Sequence, residues 1–224
     1  MFQTDPFAFI VLLIGMSLLP FLAMIATSYL KIVVVMSLIR NALGIQSIPP
    51  NMVVNALAMI LTFYIMAPMV GESWDLLRQG MKDNKPEVVY QTDLALKATE
   101  PFRQFLVHET DEKQVAFFVR TAEKLWAKRD ENGDVTEPAV VDKDSYFVLI
   151  PAFCVSELTR AFQIGFLVYL PFIAIDIIVS NILLAMGMMM VSPVTISLPF
   201  KLLLFVMVNG WTLLVQGLVQ SYVH

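Results

Sequence analysis

Charge is scarce at both ends of this chain. Outside residues 71–146 the only ionised side chains are Asp5, Lys31, Arg40, Glu157, Arg160, Asp176 and Lys201. Cysteine is nearly absent too. Cys154 stands alone, which excludes an intrachain disulfide and any cysteine-based metal site, and it reads as a small buried apolar residue. The two histidines, His108 and His224, are isolated from each other. There is no HExxH, CxxC, GxSxG or GxxxxGK string. A membrane enzyme needs a nucleophile with its base, or a metal cluster, and neither is supplied. The chain is therefore read as non-enzymatic, with no cofactor and no metal. It has no recognisable means of hydrolysing nucleotide, so energy for any transport comes from partners or from an ion gradient. A basic patch interleaved with aromatics is also lacking, which argues against nucleic-acid binding.

What is present is apolar surface. Hydrophobic residues make up 58% of the 224, charged residues 15%, and mean hydropathy is +0.71. Soluble domains run nearer half apolar and a quarter charged. The remaining 16 acids and 11 bases crowd into residues 71–146, giving that block net −5. Three parts follow: a hydrophobic N-terminal hairpin over 1–71, a polar and mostly helical insert over 72–146, and C-terminal hydrophobic hairpins over 147–224. The fold class expected is an all-α membrane protein.

Pro6–Leu30 carries no charge, and the apolar run continues past Lys31 to Ile39. That exceeds the roughly 20 residues needed to span a bilayer. Pro20 inside it is expected to kink or break the helix, so one span with a continuing helix and two half-length pieces both fit. No Lys or Arg precedes Lys31, so the basic start of a secretory signal is missing and the first apolar stretch is expected to belong to the mature protein. Gly44 and Pro49-Pro50 punctuate a connector, Asn51 is a candidate cap, and Met52–Gly71 is a second candidate span. In the insert, Phe102, Phe105, Leu106, Phe117, Phe118 and Leu125 recur at near-helical spacing, enough for a small core of its own. Asp130–Asp134 reads as a turn or surface loop. Tyr146–Phe172, Ile177–Phe200 and Leu202–Val223 are apolar, with Pro193 and Pro199 as breaks; two spans or three shorter helices both fit. Basic residues beside the short connections, Arg40 and Lys201, suggest four spans with both termini and the insert outside.

Three strings resemble one known family: LLPFLAMIATSYLKIVVVMSLIRNALGIQSIPPNMVVNALAMILTFYIMAPM over 18–69, PAFCVSELTRAFQIGF over 151–166, and the stretch 170–211 containing LPFIAIDIIVSNILLAMGMMMVSPVTISLPFKLLLF and NGW. They are similar to the SctR/FliP export-gate proteins of type III secretion systems. The missing signal favours the injectisome, or virulence, branch. The resemblance implies several copies of the chain, a pentamer, in a helical or ring-like complex with SctS- and SctT-type subunits and an SctU-type switch protein. That complex forms the pore for unfolded secreted substrates. It also implies a multi-pass protein of the bacterial inner membrane, in contact with lipid, with part of the assembly projecting to the periplasmic side and much of the hairpins lifted out of the bilayer plane. A stand-alone transporter or ion channel is the alternative. It would run through the intramembrane charges, and the absence of similarity between the two hydrophobic thirds weighs against it.

Met186-Gly-Met-Met-Met190 is the first site candidate. Methionine is flexible and soft, so a ring of such side chains can close around a moving polypeptide without gripping it; the plainer reading is lipid-facing or core packing. The resemblance implies a gasket at the channel's narrowest point, carried on Met188, Met189 and Met190 with Met186 in support. The second candidate is the set of intramembrane charges. Glu157 and Arg160 share a helix face, and structural or intersubunit pairing is preferred to a proton relay. Lys31, Arg40 and Lys201 are candidate partners for Asp176, with Lys201 otherwise free to snorkel to headgroups.

Overall fold

The computed structural model describes residues 6–45, 48–82, 94, 96–129, 135–137, 139–188 and 190–223. Its elements in order are α1 (Pro6–Ile25), α2 (Tyr29–Ala42), α3 (Asn51–Lys82), α4 (Glu100–Glu109), α5 (Glu112–Leu125), β1 (Lys128–Arg129), β2 (Val135–Glu137), α6 (Tyr146–Ala185), α7 (Pro193–Met207) and α8 (Gly210–Gln220). The described residues are all-α apart from the short antiparallel β1–β2 ladder, which pairs Lys128 with Glu137 and Arg129 with Val135. The turn expected at Asp130–Asp134 lies outside the described residues.

Among the described residues two helices are long and apolar enough to cross a membrane, α3 over Asn51–Gly80 and α6. Counting α1–α2 and α7–α8 as broken spans raises the number to as many as four. Proline and helix breaks do not coincide as expected. Helix α1 continues through Pro20 and stops at Ile25. Thr27 supplies the stop: its hydroxyl donates to the Ala23 carbonyl at 2.6 Å and accepts from the Tyr29 N–H at 3.4 Å. Such side-chain bonds offer the backbone an alternative to the helical ladder. Pro199 likewise lies inside α7, whereas Pro193 opens that helix behind Ser192, where its missing N–H costs nothing. Asn51 does not cap α3. The Pro50 carbonyl accepts the first helical bonds, from the N–H groups of Val53 at 2.9 Å and Val54 at 3.3 Å, and the Asn51 side chain accepts from Arg40. Helix α3 runs on past Gly71 to Lys82. The C-terminal apolar part is one 40-residue helix and two short ones, α7 and α8 meeting at a 60° bend.

The described chain divides into two compact units, Met1–Leu30 with Met66–Ser156 and Lys31–Ile65 with Glu157–His224. In the first, Ala26, Leu106, Leu149 and Phe153 form the buried centre, and Phe102, Phe105, Val115, Tyr146 and Ile150 pack around it. The Phe105 and Phe153 rings lie 5.7 Å apart. Among the described residues the insert therefore shares its core with α1 and α6 and does not close one of its own. Phe117 and Leu125 remain exposed, and Leu106 is buried only because α6 and the end of α1 complete its surroundings. Bonds between side chain and backbone fasten the same contact: the Tyr146 hydroxyl donates to the Thr99 carbonyl at 3.0 Å, and the Asp111 N–H donates to Ser156 Oγ at 3.0 Å. Cys154 is half-buried, its thiol directed to the Ile25 carbonyl at 3.6 Å.

In the second unit, Ile32, Val35, Met36 and Ile39 of α2 are fully buried, a stripe at helical spacing. Gly165 of α6 lets α2 approach: a Cβ there would stand 2.3 Å from Leu38 Cδ1.

Candidate functional site

The second unit holds every described candidate residue. Helix α6 ends just before the methionines, and its last turn closes in a Schellman arrangement. The Gly187 N–H donates to the Leu184 carbonyl and the Met188 N–H to the Leu183 carbonyl, both at 3.0 Å. Gly187 has φ +71°, a left-handed conformation that a side chain would strain. The glycine thus turns the chain sharply and presents the methionines outward. Met186 is 66% exposed, Met188 41% and Met190 101%. Met189 lies outside the described residues.

The charges separate into two clusters. In the first, Glu157 of α6 is completely buried and takes three donors. The Lys31 ammonium of α2 is 3.4 Å from Oε2, the Arg160 guanidinium 3.2 Å from Oε1, and the Tyr222 hydroxyl, just past α8, donates to Oε2. Lys31 is 1% exposed and stands 3.5 Å above the centre of the Tyr222 ring, so a cation–π contact adds to the ion pair. In the second, Lys201 of α7 is 3% exposed and does not snorkel. Its ammonium reaches Asp176 Oδ2 of α6 at 2.6 Å and the Ala42 carbonyl at the end of α2 at 3.2 Å. The Ser197 hydroxyl donates to the other Asp176 oxygen. Arg40 joins neither cluster. It donates to the Pro49 carbonyl at 3.3 Å and to the Asn51 side chain, and so fastens the connector between α2 and α3. A buried charge persists only where partners satisfy it. The two clusters therefore act as polar pins, one holding α2, α6 and the end of α8 together, the other α2, α6 and α7.

Tyr222, Ser197 and the Ala42 carbonyl were not foreseen from the sequence. A tyrosine in an uncharged apolar segment does carry a signal, because its hydroxyl seeks a partner when buried. An apolar cavity of ≈ 500 Å³ was also unforeseen; Val35, Val168, Phe172, Phe205, Leu214 and Leu218 are among its walls. Among the described residues no group of three His, Cys, Asp or Glu side chains is placed to hold a metal ion. The site offers packing, soft apolar tips and paired charge.

Comparison with known proteins decides the family. The FliP family profile matches residues 12–218. This chain belongs to the FliP family. Relatives along the same length include Yop proteins translocation protein R of Yersinia pestis, 49% identical over 218 residues with 97% of each chain covered. The virulence protein YscR of Salmonella typhimurium is 45% identical over 221 residues, again covering 97% of each. The hypersensitivity response secretion protein HrcR of Ralstonia nicotianae is 44% identical over 214 residues, covering 95% of each. This FliP-family chain is thus a type III secretion export-apparatus component with membrane helices, as its strings implied.

Proposed function

We propose that the chain is a core export-gate subunit that lines the pore for unfolded proteins, with the 186–190 methionines as its gasket. The exposed methionine tip on a glycine-locked helix end supports this most directly. Three soft side chains per copy, those of Met186, Met188 and Met190, stand exposed among the described residues, as a seal made between copies requires. The polar pins give the same reading a scaffold, since a gasket must flex at its tips and stay fixed at its base. The assembly is a pentamer with SctS- and SctT-type subunits and an SctU-type switch protein. It sits in the bacterial inner membrane and projects in part to the periplasmic side. Residues 1–71, 72–146 and 147–224 serve as first hairpin, periplasmic-side insert and pore-bearing hairpins. The subunit performs no catalysis. Lys31, Arg40, Glu157, Arg160, Asp176 and Lys201 are structural, within a copy or between copies.

Replacing Met188, Met189 and Met190 together by alanine tests the gasket. The complex is expected to assemble, and cells or vesicles carrying it to leak small ions through the closed channel. A tight membrane with the variant fully assembled would refute the role. Native mass spectrometry of the chain co-expressed with SctS- and SctT-type subunits tests the assembly; a monomer that ignores them would point to a stand-alone transporter.

A further inference from the structure

Helix α8 is only 11 residues long and is held differently at its two ends. At its start the chain passes through Asn209, whose φ of +52° is left-handed, a conformation uncommon for a residue with a side chain. Gly210 follows, and a Cβ there would lie 2.3 Å from the Phe205 ring. Two consecutive positions thus combine an unusual backbone with close backbone-to-ring packing, and the helix axis turns by 60° across them. At its far end, Tyr222 meets the buried Lys31–Glu157 pair with both parts of its side chain, the hydroxyl on the carboxylate and the ring under the ammonium. Between the two ends, Leu213, Leu214, Gly217 and Leu218 form one wall of the apolar cavity.

We propose that α8 is a hinged flap over this cavity, with Asn209–Gly210 as the hinge and Tyr222 as the latch. The latch is polar while the surface it closes is apolar. Latching therefore adds one side chain, meeting a buried carboxylate and a buried ammonium, to the apolar contacts of Leu218 and of Trp211 with the Phe205 ring. When Tyr222 leaves, Glu157 keeps Lys31 and Arg160. The open state therefore does not strand a buried charge, which keeps opening accessible. Opening uncovers Leu218, only 2% exposed when the flap is shut.

The test uses the full chain in membrane vesicles with Cys154→Ser as background and Leu218→Cys as the only thiol. The rate of reaction with N-ethylmaleimide is compared with and without Tyr222→Phe, which removes the hydroxyl and keeps the ring. A hydrogen bond to a charged group is worth enough to raise the open fraction, and hence the labelling rate, about tenfold. Tyr222→Ala, which removes the ring as well, is expected to label faster still. A parallel series with Ile39→Cys, on the fully buried face of α2, separates flap opening from general loosening. Faster labelling at position 218 with no change at position 39 supports the latch. Unchanged labelling at 218 in both Tyr222 variants overturns it, and so does an equal rise at 39 and 218.

Discussion

Removing the two partners of the Asp176–Lys201 pair one at a time is expected to give unequal losses. Asp176→Ala leaves the Lys201 ammonium buried, 3% exposed, with the Ala42 carbonyl at 3.2 Å. Breaking a buried pair from one side costs about 3–5 kcal/mol. The Asp176 side chain is 32% exposed, so water can enter beside the vacated carboxylate, and the lower end of that range, about 3 kcal/mol, applies. Lys201→Met leaves the carboxylate partly solvated and still accepting from Ser197, so its loss is smaller, about 1–2 kcal/mol. The double variant Asp176→Ala with Lys201→Met strands neither charge and is expected within about 2 kcal/mol of the parent. The assay is reversible unfolding of the full chain in mixed micelles on titration with dodecyl sulfate, followed by far-ultraviolet circular dichroism. The coupling between the two positions is then about 2 kcal/mol or more. Additive losses would refute the pin, and so would an Asp176→Ala variant no less stable than Lys201→Met.

Two further outcomes can be measured in other parts of the chain. In the insert, the Arg103 side chain, hydrogen-bonded to Glu100 at 2.7 and 2.9 Å, holds the Glu100 carboxyl below its ordinary value of 4.5. A lowered carboxyl value favours the folded state above the unfolded value, and the benefit disappears as pH falls through the folded one; amide protection in α4, taken relative to the intrinsic exchange rate at each pH, is therefore expected to weaken as pH drops below 4.5, and to lose that dependence in Glu100→Gln. At the hinge, Gly210→Ala forces a Cβ against the Phe205 ring; a loss of about 1–3 kcal/mol is expected in the same micelle titration, and the added substitution Phe205→Leu should recover part of it.

The apolar and polar zones were legible because hydropathy is a local property, and so was the family, because long ordered strings are specific. Helix ends were read less well. Pro20 and Pro199 looked like breaks, yet an apolar helix tolerates proline where its neighbours hold the backbone, while Thr27 ends α1 by hydroxyl bonds that composition does not display. Phe102, Phe105 and Leu106 were read correctly as a packing face, but the surface they meet, around Phe153, lies some fifty residues away along the chain, and periodicity is blind to it. The same holds for the charges. Glu157 with Arg160 is a spacing of three and shows in the sequence; Lys31 with Glu157, and Asp176 with Lys201, are products of helix packing.

Helix α6 has 40 residues. At about 1.5 Å of rise per residue its contour is about 60 Å, against a hydrocarbon layer of about 30 Å. Phe147 near its start, Phe162 and Phe166 near its middle, and Ile182 and Leu184 near its end all lie exposed on the single chain. A bilayer can dress only about half of such a rod, and water is a poor solvent for the rest. The orphaned length needs a protein sleeve. A lone copy is consequently a sticky intermediate, and synthesis of the neighbouring subunits in step with it would govern how much of it survives.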